Sequence, residues 1–260
     1  MHRFFVPPEL LRHVDATFSL PEKLAHQARD VLRLAEDEQF MLLDNSGDEI
    51  ICSVVKSGKG SRAGVEARIL ERRPGKREPR VRIMLCQGLL KSARFEWILE
   101  KGTELGVSTF VPTLCRRSMS GLEDAGPAKL QRWQRILQEA TEQCGRARVP
   151  ELSPIRPLMH TLNDIPPGAL ALMPWEEEQG LSLRAALRSA AMDCEDEGRQ
   201  LPTVVLFIGP EGGLMPEEVS LAQRHGVQVV TLGTRILRAE TAAIAAIANV
   251  MYELEALPDV

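Results

Sequence analysis

LFIGPEGGLMPEE (residues 206–218) and VVTLGTRILRAETAAIAAIANVMYEL (residues 229–254) are the two stretches on which the fold turns. Each reads as a short strand, then a glycine-bearing turn, then a helix. In the first, Gly209-Pro210-Glu211-Gly212-Gly213 follows the strand, and Pro216 stands where the first turn of a helix tolerates proline. In the second, the strand ends at Leu232-Gly233, residues 234–239 are irregular, and a helix starts at Glu240-Thr241. Glycines at such ends let backbone amides approach a ligand closely or adopt positive φ. Neither stretch is a Walker loop or a GxGxxG fingerprint, so a tight strand-to-helix turn accounts for the first on spacing alone. Arg235 and Arg238 are harder to explain that way. Cations at a helix N-terminus oppose its dipole, which points to a ligand, whereas Glu240 complements the dipole without one.

Working outward, the same alternation fills the chain after Arg80. Residues 81–86, 107–112, 169–173, 203–208 and 227–232 read as strands, and 93–105, 129–145, 181–192, 216–225 and 240–257 as helices. Five such units in series predict an α/β protein with a mostly parallel sheet covered on both faces. Ligands of these sheets bind beyond the carboxyl ends of the strands. Periodicity alone favours an open doubly wound sheet, because true knots are rare. Residues 1 to about 72 read mostly as β, with strands at 4–6, 39–43, 49–57 and 64–70 and one helical pattern at 24–34, enough for a small barrel. Two prolines, a glycine and a charge run mark a linker. The expected domains are therefore 1–73 and 81–260, joined by a 74–80 linker.

Composition narrows the function. Of 260 residues, 44% are apolar and 26% charged, the balance of an ordinary globular protein. No apolar run approaches the roughly 18 residues of a membrane span, and MHRFFVPPEL lacks the regions of a signal peptide, so a cytoplasmic protein is expected. Cys52, Cys86, Cys115, Cys144 and Cys194 form no CxxC and read as buried thiols; the scattered histidines, His13 among them, form no HExxH. No metal site is expected. The net charge of −4 is unevenly spread. Residues 1–55 carry five Lys and Arg against ten Asp and Glu, 56–80 nine against three, 81–150 eleven against seven, and 151–260 seven against sixteen. A basic middle can present a phosphate-binding surface on an acidic chain, although a solvated loop explains KSGKGSRAG (56–64) equally well.

Taken together, IGPEGG (208–213), LGTRILRAETAA (232–243) and KSARFEWILEKGTELGV (91–107) resemble the RsmE family of 16S ribosomal RNA methyltransferases. RWQRILQEATEQCGR (132–146) and HRFFV (2–6) fit the same pattern, so the resemblance covers nearly the whole chain. It implies methyl transfer from S-adenosylmethionine to N3 of a uridine in small-subunit RNA. It also implies a C-terminal SPOUT domain with a deep trefoil knot, a PUA-like N-terminal RNA-binding barrel, and a homodimer. The knot replaces the open sheet that periodicity favours.

On this reading the cofactor lies against Ile208, Gly209, Pro210, Glu211, Gly212 and Gly213 on one side. Leu232, Gly233, Ile236, Leu237, Ala239 and Thr241 form the other side, and Met173-Pro174-Trp175 a third wall. Apolar faces and backbone donors suit adenine, and glycine rather than a signature side chain makes that possible. Arg238 is the candidate to stabilise negative charge on the uridine carbonyls as N3 loses its proton; a salt bridge to Glu211 or Glu240 is its structural alternative. Glu240 is a candidate base, or a capping carboxylate. Arg3, Lys91, Arg94, Lys101, Arg132, Arg135, Arg146 and Arg148 are candidates for RNA phosphate contacts. Two other functions compete. One is a different SPOUT methyltransferase acting on ribose 2′-O, separable by locating the modified atom. The other is a non-catalytic assembly factor, which would show no heat of S-adenosylmethionine binding.

Overall fold

The computed structural model describes residues 1–11, 17–57, 64–118, 126–196 and 203–255, in two compact units. Lys59 and Arg62 of the basic loop, His13, and Glu197 of the acidic patch lie outside the described residues.

The N-terminal unit comprises Met1–Glu78 with Thr141–Val149. Its sheet has the order β1-β3-β4-β5-β2, from β1 (Arg3–Phe5), β2 (Thr17–Ser19), β3 (Gln39–Leu43), β4 (Asp48–Ser57) and β5 (Val65–Pro74). Only the β1–β3 pair is parallel. Alternate residues explain why β3 is apolar almost throughout. Phe40 and Leu42 enter one core with Phe4, Ile50, Cys52 and Ala67, while Met41 and Leu43 pack with Ile51 on Ala147. The helical pattern at 24–34 gives only α1 (Glu22–His26), followed by a wider turn at Gln27–Val31. Arg33 and Asp37, both at positive φ, end it.

Residues 74–78 of the stretch expected to be a linker belong to this unit. Strand β5 continues to Pro74 because Arg72 and Arg73 reach Asp44 (3.3 Å) and Glu49 (3.0 Å) across the sheet. Glu78 then receives the Ala147 and Arg148 amides at 2.8 and 3.0 Å on Oε1, and the buried Arg146 guanidinium at 3.0 Å on Oε2. Asn45 accepts the Val149 amide at 2.7 Å. These contacts fold 141–149 onto residues far upstream, which a boundary drawn from composition does not register.

The C-terminal unit comprises Pro79–Ala140 with Pro150–Val260. Its strands are β6 (Ile83–Gly88), β7 (Val107–Leu114), β8 (Glu151–Leu152), β9 (Arg156–Pro157), β10 (Leu170–Pro174), β11 (Val204–Ile208) and β12 (Gln228–Val230). They run parallel in the order β12-β10-β11-β6-β7-β8, with β9 also on β7. The helices are α2 (Ser92–Glu104), α3 (Pro127–Cys144), α4 (Leu158–Asn163), α5 (Leu183–Asp196), α6 (Pro216–Arg224) and α7 (Ala239–Leu254). Central β11 is buried at all five positions, as a parallel strand covered on both faces must be. Val205 and Phe207 pack with Leu158, Leu162, Val219 and Ala222. Helix α7 buries Ala243, Ala246, Ile247, Val250 and Leu254 and packs on α2, α5 and β11.

Burial pushes the Cys86 and Cys115 thiols above their usual range and Cys52 up to about 12, so these cysteines are packing groups. Glu78→Ala leaves the buried Arg146 without its carboxylate and should destabilise the protein by about 3 kcal/mol. Denaturant unfolding measures the loss, and Glu78→Gln, which keeps the acceptor on Oε1, should lose less.

Candidate active site

The parallel strands end in a cleft of about 360 Å³ within the C-terminal unit. Pro174, Trp175 and Glu176 follow β10, Ile208–Leu214 follows β11, and Thr231–Leu232–Gly233 with Arg235–Ala239 follows β12. Twelve of these residues are among the fourteen expected at the cofactor, and Ala239 and Leu237 close the wall beside Arg238 and Glu240.

Backbone contacts set the three loops. The Trp175 amide donates to the Val230 carbonyl at 3.0 Å, tying the end of β10 to β12. Thr231 Oγ1 accepts the Gly233 amide at 3.1 Å. The loop after β11 closes with Gly213 N–H donating to the Pro210 carbonyl at 2.9 Å. It is fastened from β6 and β7: Gln87 donates to the Gly209 carbonyl (3.4 Å), and Arg117 to the Gly212 carbonyl (2.9 Å). Glu218, buried in the first turn of α6, accepts the Met215 and Arg116 amides, each at 2.9 Å.

Close packing dictates two glycines. A Cβ on Gly88 would lie 2.5 Å from Pro210 N and 2.8 Å from Gly209 C, where only backbone could give way. A Cβ on Gly212 would lie 2.9 Å from Arg117 Cβ. Gly212 is thus small to let Arg117 under the loop, and a side chain there would strike the turn after β7 rather than enter the ligand space.

The charged groups are arranged around Arg94. Its Nη1 lies 3.6 Å from Glu211 Oε1 and its Nε 3.6 Å from Glu240 Oε1, so one guanidinium stands between the loop after β11 and the start of α7. Glu211 Oε1 also accepts the Lys91 amide at 3.2 Å. Glu240 Oε2 is buried with no hydrogen-bond partner. Arg238 is the N-cap residue of α7, its carbonyl accepting the Ala242 amide at 2.8 Å. Its side chain is exposed, and no ion pair involving it occurs among the described residues. Among the described residues it is Arg94, not Arg238, that approaches Glu211 and Glu240.

Other expected residues are placed differently. Met173 is fully buried among core side chains, facing away from the cleft, and Thr241 is exposed outside it. Among the expected phosphate contacts, Arg146 is buried on Glu78. Arg132 holds Glu96 with two bonds of 2.7 and 2.8 Å, and Arg135 holds Glu139 at 2.7 Å. Lys101 lies between Glu100 and Glu104 at 2.8 Å each, and these carboxylates hold its pKa above the usual range. Arg148 donates to the Ser46 carbonyl, and Arg3 is half-buried beside Gly145. Lys91 is exposed ahead of α2. Glu176 and Arg117 were not read as site residues, and Arg94 was expected at the RNA phosphates rather than between two carboxylates of the cleft. Only the position of Arg94 beside Lys91, at the start of a helix, offered any signal.

A backbone-walled cleft over parallel strand ends, with arginines on its rim, defines an α/β protein whose ligand site lies beyond the carboxyl ends of its strands. The comparisons give the family. Residues 76–251 match the RNA methyltransferase domain, and the chain belongs to that family. It is 31% identical to ribosomal RNA small subunit methyltransferase E of Bacillus subtilis strain 168, over 99% of this chain and 98% of that protein. It is 33% identical to the protein of the same name from Synechocystis, over 98% and 78%. The structure of ribosomal RNA small subunit methyltransferase E from Neisseria gonorrhoeae bound to S-adenosyl methionine aligns with a TM-score of 0.79 at 30% identity, covering 97% of both chains. A putative methyltransferase from Legionella pneumophila with bound cofactor SAM aligns at 0.73 and 27%, covering 96% of each. The α/β fold expected from the resemblance, a methyltransferase unit on a mostly parallel sheet with a small β unit, is the fold of this chain.

Gly88→Ala should displace the loop after β11 and weaken S-adenosylmethionine binding at least tenfold while the protein stays folded. Calorimetry beside a thermal melt measures both, and unchanged affinity in the folded variant would remove this contact from the cofactor wall.

Proposed function

We propose that the chain transfers a methyl group from S-adenosylmethionine to N3 of a uridine in the 16S RNA of the small ribosomal subunit. The observation that carries this reading is the convergence on one cleft of the loop after β11, the segment after β12, and the exposed guanidinium of Arg238. The residues present suit the cofactor. Ile208, Leu232, Ile236 and Leu237 offer apolar walls for a purine, and the backbone of the two loops offers donors and acceptors for its edge. Glu176, Glu211 and Glu240 give the cleft a negative lining suited to a sulfonium and an ammonium.

The cofactor supplies an electrophilic methyl group, whose bond to sulfur breaks as the bond to N3 forms, the sulfur keeping the electron pair. The protein's own tasks are then orientation and charge. Its loops hold the methyl in line with the acceptor, an alignment that removes much of the entropic barrier. In this proposal Arg238 meets the negative charge that develops on the uracil carbonyls when the N3 proton leaves, and Glu240 is the candidate to receive that proton. No metal is required by this chemistry.

No described helix is long and apolar enough to cross a membrane, and a protein acting on ribosomal RNA belongs in the cytoplasm. The decisive experiment is methylation of small subunits lacking the modification, with mass spectrometry of digested RNA to locate the methyl. A single methyl on uridine N3 is expected; one on ribose 2′-O, or none, overturns the reading. Arg238→Ala should slow single-turnover transfer by about 10²-fold with cofactor affinity nearly unchanged. Arg238→Lys should recover little, because an ammonium cannot reproduce a planar two-pronged contact.

A homodimer belongs to the same proposal. The outer face of α7 carries Ala245, Ala248 and the 80%-exposed Tyr252, more apolar surface than its buried face accounts for. Light scattering should give twice 28.9 kDa, and Ala248→Glu should return the mass to that of one chain.

A further inference from the structure

We infer that Arg94 is a positioning residue for methyl transfer: its guanidinium, set between Glu211 and Glu240, holds the Glu240 carboxylate so that Oε2 faces the acceptor uridine. The inference rests on the functional reading above and gives Arg94 a role other than a phosphate contact.

Three observations support it. Arg94 stands in the first turn of α2 and reaches outward to two other elements, the loop after β11 and the first turn of α7. Both approaches are 3.6 Å, ion-pair distances rather than hydrogen bonds, so the guanidinium is shared between the carboxylates and committed to neither. Both contacts also use Oε1. The second oxygen of Glu240 is buried without a partner, although its side chain is only 15% exposed. Buried polar atoms are nearly always satisfied, and an exception at a ligand cleft marks a group whose partner arrives with the ligand. Among the donors on the ligands proposed for this cleft, the N3–H of a uracil is the one whose proton the reaction must remove. In the step so arranged, the N3–H bond breaks and its proton passes to Oε2. The N3 electron pair forms the new bond to the methyl carbon, and the sulfur departs as a neutral thioether with its own pair. Without Arg94, Glu211 and Glu240 would repel each other across the mouth, and the cofactor loop and the carboxylate would lose their shared anchor.

The test combines Arg94→Ala, Arg94→Lys and Glu240→Gln, each checked for a wild-type melt. It measures single-turnover rates, RNA KM and calorimetric affinity for S-adenosylmethionine. Arg94→Ala should slow transfer by about tenfold to a hundredfold with RNA KM changed less than threefold, and Arg94→Lys should restore part of the rate. Adding Arg94→Ala to Glu240→Gln should slow transfer no further, because both act through one proton transfer. A second signature does not need the glutamine variant to fold. The Arg94→Ala rate should climb toward wild type as pH rises, because the imide ionises unaided in alkali. Three results overturn the inference while leaving the function in place: losses that multiply in the double variant, an Arg94→Ala defect that is the same at every pH, or a defect confined to RNA KM with a reduced salt slope, which would return Arg94 to the phosphates. A wild-type chain that methylates no uridine overturns the functional reading, and this inference with it.

Discussion

At the end of β6 the backbone of one strand meets the loop of another with no side chain between them. Gly88 lies so close to Pro210 that the loop after β11 crosses directly over the carboxyl end of β6. That crossing sets the geometry of the cleft. Strand β11 is flanked by β6 on one side and β10 on the other, so a loop pressed toward β6 leaves room above β10. The segment after β12 borders that room from the far side. Gln87, Arg117 and the buried Glu218 then fix the loop through its own carbonyls and neighbouring amides. The wall of the cleft is consequently main chain, held from beneath by side chains that do not enter it.

Charge is divided by the same geometry. Two carboxylates on the cleft face a single half-exposed guanidinium, and this leaves Arg238 uncommitted at the N-cap of α7. A cation there is disfavoured by the helix dipole, and Glu240, two residues on in the first turn, offsets it only in part. An anionic or carbonyl-rich partner removes that disadvantage. The position is therefore an electrostatic preference waiting for a ligand, and it costs the fold little because the side chain is in water.

The strands and helices of the C-terminal unit were legible because they are long and periodic. The expected strands over 107–112 and 203–208 differ from β7 and β11 by one or two residues. Strands β2, β8 and β9, of two or three residues, carry too little pattern to be read. Burial of both faces hid the direction of Met173, since a parallel strand apolar throughout gives no alternation to distinguish core from cleft. Arginines were illegible for another reason. Arg146 and Arg94 look like any surface cation until their carboxylates, Glu78 and the Glu211–Glu240 pair, are brought to them by the fold from as far as 146 residues along the chain. Gly212 was recognised as necessary, but its neighbour is Arg117, which no local pattern connects to it.

Recognition by main chain also bears on how a fold of this kind persists at low sequence identity. A chain 30% identical over 97% of its length superposes with a TM-score of 0.79. Where a side chain makes the contact, its loss abolishes recognition; where an amide or carbonyl does, any residue with the required backbone angles serves. The demands then concentrate on close approaches such as Gly88 and on buried anchors such as Glu218, which accepts two amides from separate segments. Ile236 illustrates the converse. It lines the cleft yet is 86% exposed, so its side chain makes little contact with the protein itself and its contribution arises only against a bound ligand. Covering it excludes water from the rim where Arg238 stands, and a guanidinium acts on developing charge more strongly in such a site than in solvent. On the proposed function, apolar cover and charge stabilisation would come from neighbouring residues of one short segment, each acting only against a bound ligand.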